Sequence, residues 1–82
     1  MPLVDFIWFP RPLEKIAEHG VTREEVEQVV RAAPAAAIAG STTSDHMTVV
    51  WTTRSQRLIK VVFDWADDAQ TTVVPVTAFE KE

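Results

Sequence analysis

The spacing of apolar side chains along the chain switches between two periods. Over residues 4–9, Val4, Phe6 and Trp8 alternate with Asp5, Ile7 and Phe9, and all but Asp5 favour extended backbone, so a strand is expected there. Both of its faces are mostly apolar, which places it under cover on both sides or beside a helix, with Pro10 ending it. Leu13, Ile16 and Ala17 then recur at helical spacing as far as His19, and Pro12 suits the first turn, where its missing N–H costs nothing. Val26, Val29, Val30 and Ala33 follow the i, i+3, i+4, i+7 pattern of a second helix over residues 23–33. Pro34 stops it. Residues 35–40 read as a short, weak strand and 41–46 as a polar loop. From Met47 the period becomes two: Met47, Val49 and Trp51 alternate with Thr48, Val50 and Thr52, and residues 58–65 repeat the pattern. Residues 53–57 form a connection of hairpin length, 66–70 a turn around Asp67 and Asp68, and 71–78 a last strand. Pro75 inside that strand cannot donate to a ladder, so an edge position or a bulge is expected.

The best-specified local feature is the junction of the two helices, residues 19–26. Gly20 suits the left-handed position just past a helix end. Thr22 can cap the next helix, and Glu25, three residues on, can reach back to the Thr22 N–H in a capping box. Val21 and Val26 stand where a hydrophobic staple places them. Element order is then strand, helix, helix and an antiparallel meander of three or four strands, an α+β class with helices against one sheet face.

Composition narrows the picture. Eighty-two residues, 46% hydrophobic and 24% charged, describe one small soluble domain over residues 1–82 with one core. The absence of cysteine excludes disulfides and thiolate metal sites. No apolar run has the length of a membrane span and the amino terminus lacks a signal-like pattern, so no membrane partner and a cytoplasmic location are expected. A net charge of −4 argues against a general nucleic-acid binder. The two-helix unit is not read as a DNA-binding helix-turn-helix, because Glu24, Glu25 and Glu27 open the second helix where phosphates would approach.

Few residues can carry chemistry. His19 and His46 are the only histidines, and their spacing speaks against a metal site. His46 reads as a solvent-exposed loop residue. His19 closes a helix, whose negative dipole end suits a histidine, and the plainer reading gives it only that role. With two glycines in the chain, a phosphate-cradling loop is not expected, nor is any cofactor. Arg11, Lys15 and His19 fall at i, i+4 and i+8 on one helix face, and Arg54, Arg57 and Lys60 surround the hairpin. If the helix packs beside the sheet edge, these form one basic patch suited to an RNA phosphodiester. The plainer alternative is a set of solvated charges that keep a surface hairpin soluble.

Three segments carry a family resemblance: Phe6-Ile7-Trp8, the run I-A-E-H-G-V-T-R-E-E-V-E over residues 16–27, and T-T-R-S-Q-R-L-I-K-V-V-F over residues 52–63. In this order they resemble the BrnT-like toxins, ribonucleases of bacterial type II toxin–antitoxin systems with a fold similar to RelE-type toxins. The corner H-G-V-T-R-E-E is the most specific piece. The resemblance implies metal-independent RNA cleavage by a few basic groups, with the ribose 2′-hydroxyl attacking the adjacent phosphate. It also implies a small DNA-binding antitoxin as partner. His19 matches the family's histidine before glycine and Arg57 the arginine closing the hairpin. In that role His19 moves the proton, and Arg57 with Arg54, Lys15, Arg11 and Lys60 contacts phosphate.

The chain departs from the family pattern at Glu18, where lysine is frequent, and at Phe79, where an arginine usually follows the alanine. A basic terminal helix usually follows as well, whereas this sequence ends at Glu82. These departures motivate the alternative expectation, a non-catalytic protein-binding module on the same scaffold that holds an antitoxin or forms a homodimer.

Overall fold

The computed structural model of the chain describes residues 4–40 and 46–81. Five strands form one sheet: β1 (Asp5–Phe6), β2 (Ile38–Gly40), β3 (Met47–Thr52), β4 (Leu58–Trp65) and β5 (Thr72–Glu80), in the spatial order β1-β5-β4-β3-β2. Strands β2 to β5 run antiparallel to their neighbours, and β1 pairs parallel with β5. Two helices, α1 (Pro10–Glu18) and α2 (Arg23–Ala32), bury Ile16, Val26, Val29 and Val30 in the same core as Val49, Ile59, Val61 and Phe63. Both helices therefore cover one sheet face, the α+β arrangement expected. Among the described residues no helix is long and apolar enough to cross a membrane.

The junction forms as its residues dictate. Gly20 takes φ +73°, the Gly20 N–H donates to Ala17 O at 3.0 Å and the Val21 N–H to Ile16 O at 2.9 Å, which closes α1 in a Schellman turn. The Thr22 hydroxyl accepts from the Glu25 N–H at 3.2 Å, and Glu25 Oε1 accepts from the Thr22 N–H at 3.0 Å. Val21 and Val26 are both buried.

Three expectations about the elements change. The first strand is only two residues long, because α1 starts at Pro10 with Phe9 as its N-cap. Pro10 thus opens a helix rather than merely ending a strand: its fixed φ suits the first helical position and the missing N–H has no intrahelical partner there anyway. Of the two placements expected for it, cover on both sides or a place beside a helix, β1 has the second, against α2. Phe6 and Trp8 face the core, but Ile7 and Phe9 remain 41% and 52% exposed. The alanine-rich segment divides into a 3-10 turn, Ala35–Ala37, and the strand β2. The expected loop 41–46 lies outside the described residues except for His46. Pro75 does sit at a bulge: pairing between β4 and β5 shifts by one residue between Val62 and Phe63, so that Pro75 faces Phe63. It also lies just past the pairing of β1 with Val73.

Side-chain contacts latch β1 and the β4–β5 turn to this frame. Trp8 Nε1 donates to Glu27 Oε2 at 3.0 Å, while Arg31 donates to Val4 O at 3.2 Å and stands over the Phe6 ring at 5.0 Å. At the β4–β5 turn Asp67 accepts the Thr71 hydroxyl and the Thr71 and Thr72 N–H groups. These bonds to the ionised carboxylate, the hydroxyl foremost, hold Asp67 below its ordinary pKa.

Candidate functional site at the helical corner

The corner between α1 and α2 meets the far ends of β4 and β5, and three of the basic residues named above gather there. Arg57 immediately precedes β4. Its Nη1 donates to Glu25 Oε2 at 2.6 Å, its Nε to Glu80 Oε2 at 3.2 Å and its Nη2 to Gly20 O at 3.2 Å. Each guanidinium nitrogen therefore has a protein acceptor, and the acceptors come from the corner, from α2 and from β5. The Glu80 hydrogen bond, opposed by desolvation and seconded by the charge and hydrogen bond of Glu25, raises Arg57 above its ordinary pKa. Glu25 divides its carboxylate: one oxygen closes the capping box and the other holds Arg57.

His19 stands one residue before Gly20 as the C-cap of α1, and its ring lies 5.9 Å from that of Phe79 on β5. Lys60, paired with Phe79 across the β4–β5 ladder, brings Nζ to 6.0 Å from the same ring centre. His19 and Lys60 thus flank Phe79, while Arg57 lies on the helix-covered side against Glu25.

The other three basic residues separate. Arg11 and Lys15 are exposed on α1, with Lys15 one turn from His19 and Arg11 two turns, about 12 Å, away. Neither has an ion-pair partner among the described residues. Arg54 turns the opposite way. Its backbone N–H donates to Gln28 at 3.2 Å, and the residue lines a groove of about 590 Å³ between α2 and β3, with Glu24, Glu27, Arg31 and Trp51. The single basic patch expected from the sequence is therefore split by the hairpin, because the turn at residues 53–57 directs Arg54 to one face of α2 and Arg57 to another. That turn closes through the Thr53 N–H to Arg57 O at 2.9 Å and the Arg57 N–H to the Thr53 hydroxyl at 3.2 Å, with Gln56 at φ 64°.

His46 also differs from its expectation. It is half-buried, with Nδ1 2.7 Å from Asp64 Oδ1 across the β3–β4 ladder. The residues that sequence reasoning missed at the corner are the two carboxylates. Glu25 was legible only as a helix cap, and nothing in the local pattern around Glu80 marks it as an arginine partner.

Compared with known protein families, with curated proteins and with solved structures, the chain finds no match.

Proposed function

We propose that the protein is a non-catalytic, protein-binding member of the BrnT-like toxin group, built to hold a small antitoxin-like partner. The observation that carries this reading is the state of Arg57. Stabilising charge on a phosphodiester transition state requires a cation whose donors point at the phosphate. Here each guanidinium nitrogen of Arg57 already donates to Glu25, Glu80 or Gly20. A phosphate approaching this cation meets two carboxylates, and the repulsion works against binding. Phe79 adds an apolar ring beside His19 where the resembled family carries a second arginine. The test is co-expression with the small DNA-binding protein of the adjacent reading frame, followed by purification through a tag on one partner. A complex of fixed stoichiometry is the expected result; two proteins that purify apart would remove this reading.

A second reading rests on a different observation, the convergence of His19 and Lys60 on Phe79. On that reading His19 takes the proton from the ribose 2′-hydroxyl, Lys60 and Lys15 contact phosphate, and cleavage is slow because Arg57 is engaged elsewhere. It requires that RNA breakdown be lost in His19→Ala.

A further inference from the structure

We infer that the sheet face opposite the helices is a self-complementary surface on which a second copy of this chain packs about a two-fold axis through Val62. This inference stands on the sheet register and the placement of charges on that face, and does not depend on the function proposed above. Along β4, Ile59, Val61 and Phe63 are fully buried beneath the helices, so the alternate residues Lys60, Val62 and Asp64 point to the other face. Among the described residues, the His19 ring at the end of α1 reaches this face at Phe79, and both helices otherwise pack on the other side. The apolar residues on the face opposite the helices include Leu58, 38% exposed, and the half-buried Val50, Val62, Val74 and Phe79.

Charge placement points to the occupant. The strand β4 is the middle strand of the sheet, and Val62 lies between a cation and an anion, each two residues away. A two-fold axis lying in the interface, crossing β4 at Val62, sets the two β4 strands antiparallel. It then puts Lys60 of each copy opposite Asp64 of the other. Phe79, level with Lys60, lies over the second copy's Val74, level with Asp64. Val62 meets Val62 at the axis. Asp64 holds His46 through Oδ1, so Oδ2 is the oxygen that faces the second copy's Lys60; the pairing occurs twice, as an isologous interface requires, and aligned sheets pack face to face in this way at about 10 Å. Asp5, level with Thr72 on β5, adds a second carboxylate at the margin of this face, and His46 lies against Asp64 on it. What favours a second copy is the placement of Lys60 and Asp64 at equal distances on either side of Val62, so that each meets its opposite charge about the axis.

The test is sedimentation equilibrium of the full chain over micromolar to submillimolar concentration, with circular dichroism verifying that each variant is folded. Wild type is expected to dimerise. Lys60→Glu and Asp64→Lys, which set like charges opposite each other, are each expected to weaken the dimer at least tenfold. The double variant Lys60→Glu/Asp64→Lys restores the pairing with reversed sign and should recover most of that loss. Val62→Arg places two cations at the axis and should leave a monomer. A wild type that stays monomeric throughout overturns the inference and leaves the face to a different partner. A dimer indifferent to Val62→Arg, or one that the double variant weakens as much as both single changes together, overturns it as well.

Discussion

Arg57 and Glu25, 32 positions apart in the chain, meet at 2.6 Å, and the same Glu25 carboxylate closes the cap of α2 through its other oxygen. One side chain thus ends a local motif and begins a long-range one. Through Arg57 the connection continues to Gly20 O and to Glu80, so the helical corner, the start of β4 and the end of β5 are tied at one guanidinium. Its role in the fold is sufficient to explain why an arginine stands there.

Removing that tie should loosen the corner. Arg57→Ala is expected to lower Tm more than Glu80→Gln, because Glu80 is the more exposed of the two carboxylates, 49% against 15% for Glu25. Lysine at position 57 should recover only part of the loss, since an ammonium cannot present three nitrogens in a planar fork. Thermal melts at low and high salt check this: the Glu80 contribution should shrink as salt rises and the Glu25 contribution less so.

The helix cap makes a separate contribution. Thr22→Ala removes the hydroxyl that accepts the Glu25 N–H, and the expected cost is about 1 kcal/mol. Denaturant titration should show a lower midpoint with an unchanged slope, as befits lost stability without a change in compactness.

Core truncation acts on a larger scale. Phe63 is fully buried, with its ring edge-on to Trp65 at 5.2 Å between centres. Phe63→Ala should cost about 3–5 kcal/mol, a large part of the stability of so small a domain. Loss of the cooperative thermal transition, or a steep fall in Tm, is the expected readout.

The Asp67 turn supplies a pH dependence. Asp67 has a lowered pKa in the folded state, chiefly through the Thr71 hydroxyl. Its contribution is therefore fully present above its unfolded value of about 3.9 and is lost as pH falls through the lower folded value. Tm of Asp67→Ala should lie below wild type at pH 7, and the gap should close as pH falls below about 4. A gap of constant size down to pH 2 would contradict this.

The features legible in the sequence are those whose determinants sit close together in the chain. Gly20, Thr22 and Glu25 specify the corner within six positions, and both long strands of the hairpin follow from alternation around the turn at residues 53–57. What was not legible depends on register between distant segments. The parallel pairing of Asp5 with Thr72, which leaves Ile7 and Phe9 on an open side, has no local signature. The same holds for the separate neighbours of Arg54 and Arg57: three residues apart on a hairpin, the Arg54 backbone N–H meets Gln28 and the Arg57 guanidinium meets Glu25 because of how α2 lies across β3 and β4. A charge count placed both in one basic patch, whereas the register gives each its own neighbours.

That the engaged Arg57 leaves a binding module and not a nuclease can be tested by induced expression in a bacterial host. Growth and total RNA are followed for wild type, His19→Ala and Arg57→Ala, with soluble expression verified for each. Wild type is expected to accumulate as folded protein while growth continues and RNA stays intact, as for both variants. Growth arrest with RNA breakdown in wild type, relieved by His19→Ala, would contradict it and establish the ribonuclease reading in its place.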